Sequence, residues 1–502
     1  MSTIATITTS FLPPFNGYAV LVAPALLILV AFFSLFADKL HVPDRAAAVV
    51  AAVVAAVGAC WMALGADNVI LFGYQLVYTG DARFAATAIL VLACAWFVWT
   101  AAAGTGRTRE ATALAALSVS GAVLAVAALD LIVMLLALEL TSMPAYVLIG
   151  YRRYRIQGLE GALKYFLLSV LTSLFMIYGA SMLFGLAGST HFAELRALTQ
   201  SPLSLLAFVL LIIGLFAKLS AAPFHWWAPD AYAGSEPWTV SFAATVPKFA
   251  GILVIVRLIQ LVSTGFSLAQ SLLLIGAVAS MVVGTFAALT QSDTRRLLAY
   301  SGVVNVGYIL LVVAASAGPD GATYSTIALV SSVVYALAYT AATMGVLLVA
   351  SGEGGRLSDL AGLSKRRPAA AWCLALFVLS LIGVPPLAGF FGKLELFMTA
   401  WAAGQQVFVV IATVVTVVSA FYYMRLIKAA FFDEPERQVA ASEDSAEDTA
   451  DVAPDVAADS AAPETPTPAP TSRVGVGVAL GILLAVTLLL GVLSGPIITW
   501  LT

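Results

Sequence analysis

One pattern runs through the chain from end to end: an apolar run of about 20 residues, a short polar break, then another run. A helix rises about 1.5 Å per residue, so about 20 apolar residues cross the roughly 30 Å hydrocarbon core of a bilayer. Fourteen such runs are legible, at about 17–36, 46–65, 84–103, 111–129, 131–150, 159–187, 201–232, 240–261, 268–290, 296–316, 322–350, 369–400, 405–431 and 474–495. The stretch 68–79 is too short to span and is expected as a surface hairpin or interfacial loop. Hydrophobic residues make up 61% of the chain and charged residues 10%, against about a quarter charged in soluble domains. The expected fold is all-α and polytopic in the membrane. Lys and Arg number 24 against 27 Asp and Glu, so the basic excess of a nucleic-acid binder is missing.

The first sixteen residues carry no Lys or Arg. Without a basic n-region a cleavable signal is not expected, and the first apolar run should stay as a span. Cys60, Cys94 and Cys373 lie in apolar runs without ligand spacing and read as small buried hydrophobes. His41, His191 and His225 show no paired helical spacing, so neither a metal nor a haem site is expected.

Basic residues set the orientation. The connections after odd-numbered spans hold seventeen of them, from Lys39 and Arg45 through Arg152, Arg153 and Arg155 to Arg437 and Arg473. The opposite side holds only Arg83, Arg196 and Arg257. Positive charge marks the cytoplasmic side, which puts both termini outside.

The remaining basic residues, Lys164, Lys218, Lys248 and Lys393, lie inside apolar runs, as does Glu139. An ionisable group at the bilayer centre costs about 2.5–3.5 kcal/mol on insertion scales, so such residues are candidate functional groups and should pair or meet water. A buried carboxyl tends to its neutral form and a lysine beside it restores the carboxylate; lysines respond in the mirror sense. Lys164, near the cytoplasmic end of its run, could also snorkel to the interface. Glu395, two residues after Lys393, faces away from it. His225 is expected to cap or pack, and Asp230 and Glu236 to be solvated at the cytoplasmic mouth.

The interior repeats at an offset of 162: Leu135-Leu136-Ala137 and Tyr146 recur as Leu297-Leu298-Ala299 and Tyr308, and Pro223 falls on Pro385. The offset carries span five onto span ten, so the second copy is inverted, a transporter trait. Spans seven and twelve are too long for one crossing and contain Pro223 and Pro385-Pro386. Proline removes a donor and clashes with the preceding turn; the freed carbonyls need protein or water around them. From Asp433 to Arg473 the chain changes character, with eleven acidic residues among Ala, Pro, Ser and Thr. That composition reads as a disordered cytoplasmic linker.

The segment Ala217-Lys218-Leu-Ser-Ala-Ala-Pro223-Phe-His225-Trp-Trp-Ala-Pro229-Asp230-Ala-Tyr232-Ala-Gly234 resembles the broken seventh helix of the antiporter-like membrane subunits of respiratory complex I. The resemblance covers nearly the whole chain. Pro-Asp-x-Tyr-x-Gly, Pro247-Lys248, a lysine at 393 and the end soon after span fourteen resemble the N form of these subunits rather than M or L.

The resemblance implies two inverted five-helix units with discontinuous helices 7 and 12. The expected divisions are a three-helix segment (1–110), the first repeat (111–262), the second (263–432), the acidic loop (433–473) and a last helix (474–502). It also implies a proton-relay set: Glu139 and Lys218 as a modulating ion pair, Lys248 as central relay, Lys393 as distal relay and Lys164 as a further lysine. Asn305 stands where the family often has histidine, and Gly234-Ser-Glu-Pro237-Trp-Thr replaces the usual Ala-Pro-Thr.

Function is thereby expected as proton translocation in the bacterial cytoplasmic membrane, within NADH–quinone oxidoreductase. No cofactor is expected in this chain; NADH, flavin, iron–sulfur clusters and quinone would belong to partner subunits. The expected neighbours are other antiporter-like and small membrane subunits and lipid, not nucleic acid. A subunit of a multisubunit sodium/proton antiporter is the alternative, and a hydrogenase-linked or purely structural subunit a third reading.

Overall fold

The computed structural model describes residues 15–36, 39, 43–65, 68–103, 108–151, 156–195, 198, 201–262, 267–318, 321–434 and 472–501. The acidic segment from 435 to 471 and His41 lie outside the described residues. Helices α1 (Val22–Phe36) and α2 (Asp44–Leu64) lead to a two-stranded antiparallel hairpin, β1 (Val69–Leu71) and β2 (Leu76–Tyr78), where the sequence suggested one. Its inner face is buried, and Tyr78 Oη donates to the Val123 carbonyl at 3.3 Å.

Helices α3 (Gly80–Ala103), α4 (Thr108–Ala125), α5 (Leu131–Ile149), α6 (Ile156–Ala187) and the short α7 (Phe192–Leu195) follow. Then come α8 (Pro202–Leu219), α9 (Trp227–Gly234), α10 (Pro237–Ala243), α11 (Val246–Val262), α12 (Ser267–Leu289), α13 (Thr294–Ala317) and α14 (Gly321–Ala350). The chain closes with α15 (Leu363–Arg366), α16 (Pro368–Ile382), α17 (Ala388–Ala402), α18 (Gln406–Phe431) and α19 (Arg473–Leu501).

Twelve helices among the described residues, rather than fourteen, are long and apolar enough to cross a membrane. The two other runs have physical reasons to fall short. Helix α4 is wrapped by α1, α3 and α5, so it needs no lipid-compatible surface and uses small and polar residues. Ser118 Oγ donates to the Thr141 carbonyl at 2.5 Å and Ser120 Oγ to the Pro24 carbonyl at 3.1 Å. A Cβ on Gly121 would lie 2.7 Å from the Thr141 nitrogen, so glycine lets α4 and α5 touch backbone to backbone, as small residues do between membrane helices. The other run is split into α16 and α17.

Helices α13 and α14 form the centre and are buried almost throughout, whereas α1, α6, α18 and α19 present apolar side chains outward. Outward Leu136, Phe421 and Val492 suit a lipid or subunit surface, where apolar exposure is ordinary. Cys60 is also exposed, while Cys94 and Cys373 are partly buried, which corrects the expectation that all three are core residues. Arg83 and Arg257 do not lie in open connections either. Both are buried, Arg257 pairing with Asp81 at 2.5 Å and Thr79 at 3.0 Å.

Two segments of the chain share local chemistry. Asp130 caps α5 through the Ile132 and Val133 amides, and Asp293 caps α13 through Arg295 and Arg296. Helix α8 ends on left-handed Ser220 (φ 56°) and α16 on left-handed Gly383 (φ 93°). Each break then contains a cis X-Pro bond, Ala222–Pro223 and Pro385–Pro386. Each of these three pairs is offset by 163, not 162, so Pro223 corresponds to Pro386 rather than Pro385.

Candidate proton-transfer site

Glu139 lies in the middle of α5, and Lys218 one residue before the end of α8. Because α8 stops at Leu219, the long stem of Lys218 reaches across to α5. Its Nζ donates to Glu139 Oε1 at 2.8 Å, to Ser142 Oγ at 2.9 Å and to Tyr146 Oη at 2.9 Å. Three partners use all three ammonium donors. Ser173 from α6 donates to the same carboxylate oxygen at 2.5 Å. The Lys218 side chain is 5% exposed and that of Glu139 23%, so the pair is closed on the lysine side and more open on the carboxylate side.

The tryptophan motif holds the break together. Trp227 Nε1 donates to the Ala217 carbonyl at 3.0 Å, its ring stacks on Tyr165 at 3.7 Å, and Tyr165 meets Tyr146 edge-on at 4.4 Å. The Ala217 carbonyl, which also accepts from the Ser220 amide at 3.2 Å, is thus fully satisfied by protein, as membrane burial requires.

Lys248 belongs to the first turn of α11, just after an interruption that the apolar pattern does not reveal. Pro247 cannot donate and would crowd the carbonyl four residues back, at Ala243, where α10 ends. Lys248 is 2% exposed and donates to Ser220 Oγ at 2.9 Å. Ser220, the left-handed residue that ends α8, therefore joins the first break to the central lysine. Gly302 on α13 completes the wall: a Cβ there would lie 2.8 Å from Lys248 Nζ and 2.9 Å from Tyr339 Oη.

Lys393 rises from α17 after the second break and is 5% exposed. Its Nζ donates to the Leu381 and Ile382 carbonyls at 2.8 and 3.0 Å and lies 5.4 Å from the Tyr308 ring. Lys218 lies 5.6 Å from the Tyr146 ring. Each break thus sets one lysine over one tyrosine, a cation–π arrangement.

Asn305 stands between the two halves. Tyr335 Oη donates to its Oδ1, and its Nδ2 donates to the Ser301 carbonyl at 2.8 Å. Ser301 Oγ and Tyr423 Oη share a further hydrogen bond. Thr416 donates to Tyr308 Oη at 3.0 Å.

Lys164 stands apart from this buried row. It is 46% exposed and pairs with Glu160 and Asp230, both at 2.7 Å; Asp230 also takes Arg296 at 2.7 Å. Asp230 is thus an ion-pair hub rather than a merely solvated carboxylate. Glu236 is buried, contrary to expectation, and lines a small cavity with Ser235 and Thr239. His225 is partly buried with its ring 6.4 Å from Tyr300.

The sequence pointed to the charged groups but not to Ser142, Ser173, Ser220, Gly302, Tyr335 or Tyr423. Of these, Ser220 had a usable signal, two residues after Lys218 and before proline. Among the described residues, no group of three or more His, Cys, Asp and Glu side chains could hold a metal ion.

Residues 128–419 match the family described as NADH:quinone oxidoreductase/Mrp antiporter, transmembrane region. The NADH-quinone oxidoreductase subunit N of Maricaulis maris is 36% identical over 385 residues, 74% of this chain and 78% of that protein. The chain belongs to the subunit N family of NADH–quinone oxidoreductase. Members of the subunit N family are antiporter-like, proton-translocating membrane subunits, and this chain is a multi-pass subunit of that kind, part of bacterial respiratory complex I with other subunits. A chain of Thermus thermophilus respiratory complex I, solved with bound aureothin, is 30% identical with a TM-score of 0.78, covering 96% of this chain and 99% of that one. A chain of the Mrp complex from Dietzia sp. DQ12-45-1b has the same fold at 23% identity and a TM-score of 0.78, with 97% and 96% covered.

Proposed function

We propose that the chain moves protons along Glu139, Lys218, Lys248 and Lys393, driven by quinone reduction in other subunits. The observation that carries the reading is the Glu139–Lys218 pair at the end of α8, 2.8 Å long, with Ser220 of the same helix end holding Lys248. Opening the pair frees an ammonium two residues from that serine. Lys218 can then pass its proton toward Lys248, and Lys248 toward Lys393. Lys164 is the outermost member, exchanging protons with Asp230 and water at the cytoplasmic mouth.

The frame for this relay is fourteen spans. The broken helix made of α16 and α17, interrupted at Gly383, counts as one of them, and α4 as another. Residues 1–110 form the three-helix segment, 111–262 and 263–432 the inverted repeats, 433–473 the cytoplasmic loop and 474–502 the last helix. The paired aspartate caps and paired left-handed helix ends support the repeat. Both termini face outward from the bacterial cytoplasmic membrane, as the basic residues favour. Neighbouring antiporter-like and small membrane subunits cover part of the apolar outer face, and redox groups stay in partner subunits.

The test uses the assembled, reconstituted complex carrying Lys218→Ala or Glu139→Ala. Fewer protons should move per NADH oxidised. Unchanged stoichiometry and turnover in both variants would contradict the mechanism.

A further inference from the structure

We infer that the hydroxyls of Ser301 and Tyr423 carry the proton between Lys248 and Lys393, and that Asn305 is a positioning residue that holds them. The inference deepens the relay reading above and rests on it.

The argument starts from α13. Gly302 abuts Lys248 Nζ and Tyr339 Oη, and Tyr308 lies under Lys393. Six residues separate Gly302 from Tyr308, about 9 Å along a helix. Ser301, Asn305 and Tyr308 recur at i, i+4 and i+7 and so share one helix face. That face runs from beside Lys248 to the ring under Lys393. The residues on it are buried, Ser301 at 0%, Asn305 at 2% and Tyr423, facing it from α18, at 1%.

Asn305 cannot carry the proton, because a carboxamide has no proton to release near neutral pH. It does orient its neighbours. Its Oδ1 takes the Tyr335 hydroxyl, and its Nδ2 donates to the Ser301 carbonyl at 2.8 Å, to Ser301 Oγ at 3.3 Å and to Tyr423 Oη at 3.4 Å. The amide nitrogen therefore anchors on the Ser301 carbonyl and lies against both oxygens of the Ser301–Tyr423 pair. Ser301 Oγ and Tyr423 Oη are in contact, and each hydroxyl can both donate and accept, as a two-way proton carrier needs.

The transfer balances. The Lys248 ammonium releases one proton through a bridging water to one hydroxyl, which passes its own proton to the other. That hydroxyl releases its proton, again through water, to the neutral Lys393 amine. Lys248 ends neutral and Lys393 charged, and neither hydroxyl ends ionised.

The test compares variants in the whole complex reconstituted into vesicles, reading proton uptake per NADH oxidised and its solvent deuterium isotope effect. Tyr423→Phe and Ser301→Ala each remove one oxygen and should slow proton delivery by on the order of 100-fold, the scale of a positioned proton carrier. Tyr335→Phe, which only loosens the amide, should have a smaller effect. Asn305→His added to Tyr423→Phe places a titratable ring among the same partners and should restore pumping. A Tyr423→Phe loss that this histidine does not restore would mark Tyr423 as structural and overturn the inference. If Tyr423→Phe and Ser301→Ala pump normally while Lys248→Ala does not, the hydroxyl route is wrong and the lysine relay survives. Normal pumping by Lys248→Ala removes both.

Discussion

The two helix breaks are built alike and charged differently. At the first, the lysine stands before the break, an indole caps the Ala217 carbonyl, and a carboxylate from α5 neutralises Lys218. At the second, the equivalent position is Leu381 at the offset of 163, and the lysine stands after the break. Lys393 itself takes the work of the indole by donating to the Leu381 and Ile382 carbonyls. A helix C-terminus attracts a cation through its exposed carbonyls, so the second lysine is held by dipoles and the first by a counter-charge. Two similar backbone breaks thus carry an ion-paired lysine in one case and a lysine tied to backbone carbonyls in the other.

Substitutions should separate the two breaks by the size of their effects. Lys218→Met leaves the Glu139 carboxylate beside Ser173 without its ammonium. Removing one partner of a buried pair costs about 3–5 kcal/mol, lessened here because Glu139 is 23% exposed. Thermal unfolding of the purified complex should show this as the largest loss, with reduced pumping. Lys393→Met strands two carbonyls but no charge, and should cost about 1–3 kcal/mol by the same measurement while also lowering proton yield. A stability loss equal to that of Lys218→Met would erase the distinction between the breaks.

Trp227→Phe keeps the ring on Tyr165 and deletes only the hydrogen bond to Ala217. It should cost about 1 kcal/mol and leave protons per NADH within error. Lys164→Ala should be smallest, within about 1 kcal/mol, because exposed ion pairs contribute little. Unchanged pumping in Lys164→Ala would remove it from the relay and start the relay at the break rather than at the exposed Asp230 cluster.

The sequence made the membrane fold legible because about 20 apolar residues have few other uses, and the buried charges legible because each is costly in lipid. Proline marked both long breaks for the same reason. The interruption before Lys248 stayed hidden, since a two-residue turn barely disturbs an apolar run even though Pro247 was in view. Helix α4 was read as an ordinary span, yet its serines and threonines fit a helix surrounded by protein. Lys164 matched a family lysine by position, but its exposure depends on Glu160 and Asp230, one a turn away and the other 66 residues on. The hydroxyls of Ser220, Ser301 and Tyr423 were hidden because isolated Ser and Tyr residues in apolar helices are common, and only tertiary contact shows which of them meet a lysine.

The most direct test of the relay is Lys248→Met in the complete complex reconstituted into vesicles, with proton uptake and NADH oxidation recorded together. Lys248 lies between Ser220 of the first break and the Gly302 face that leads to the second, so transfer from one break to the other passes through it. The account predicts fewer protons moved per NADH with the Glu139–Lys218 pair still in place. An unchanged ratio at normal turnover would contradict it.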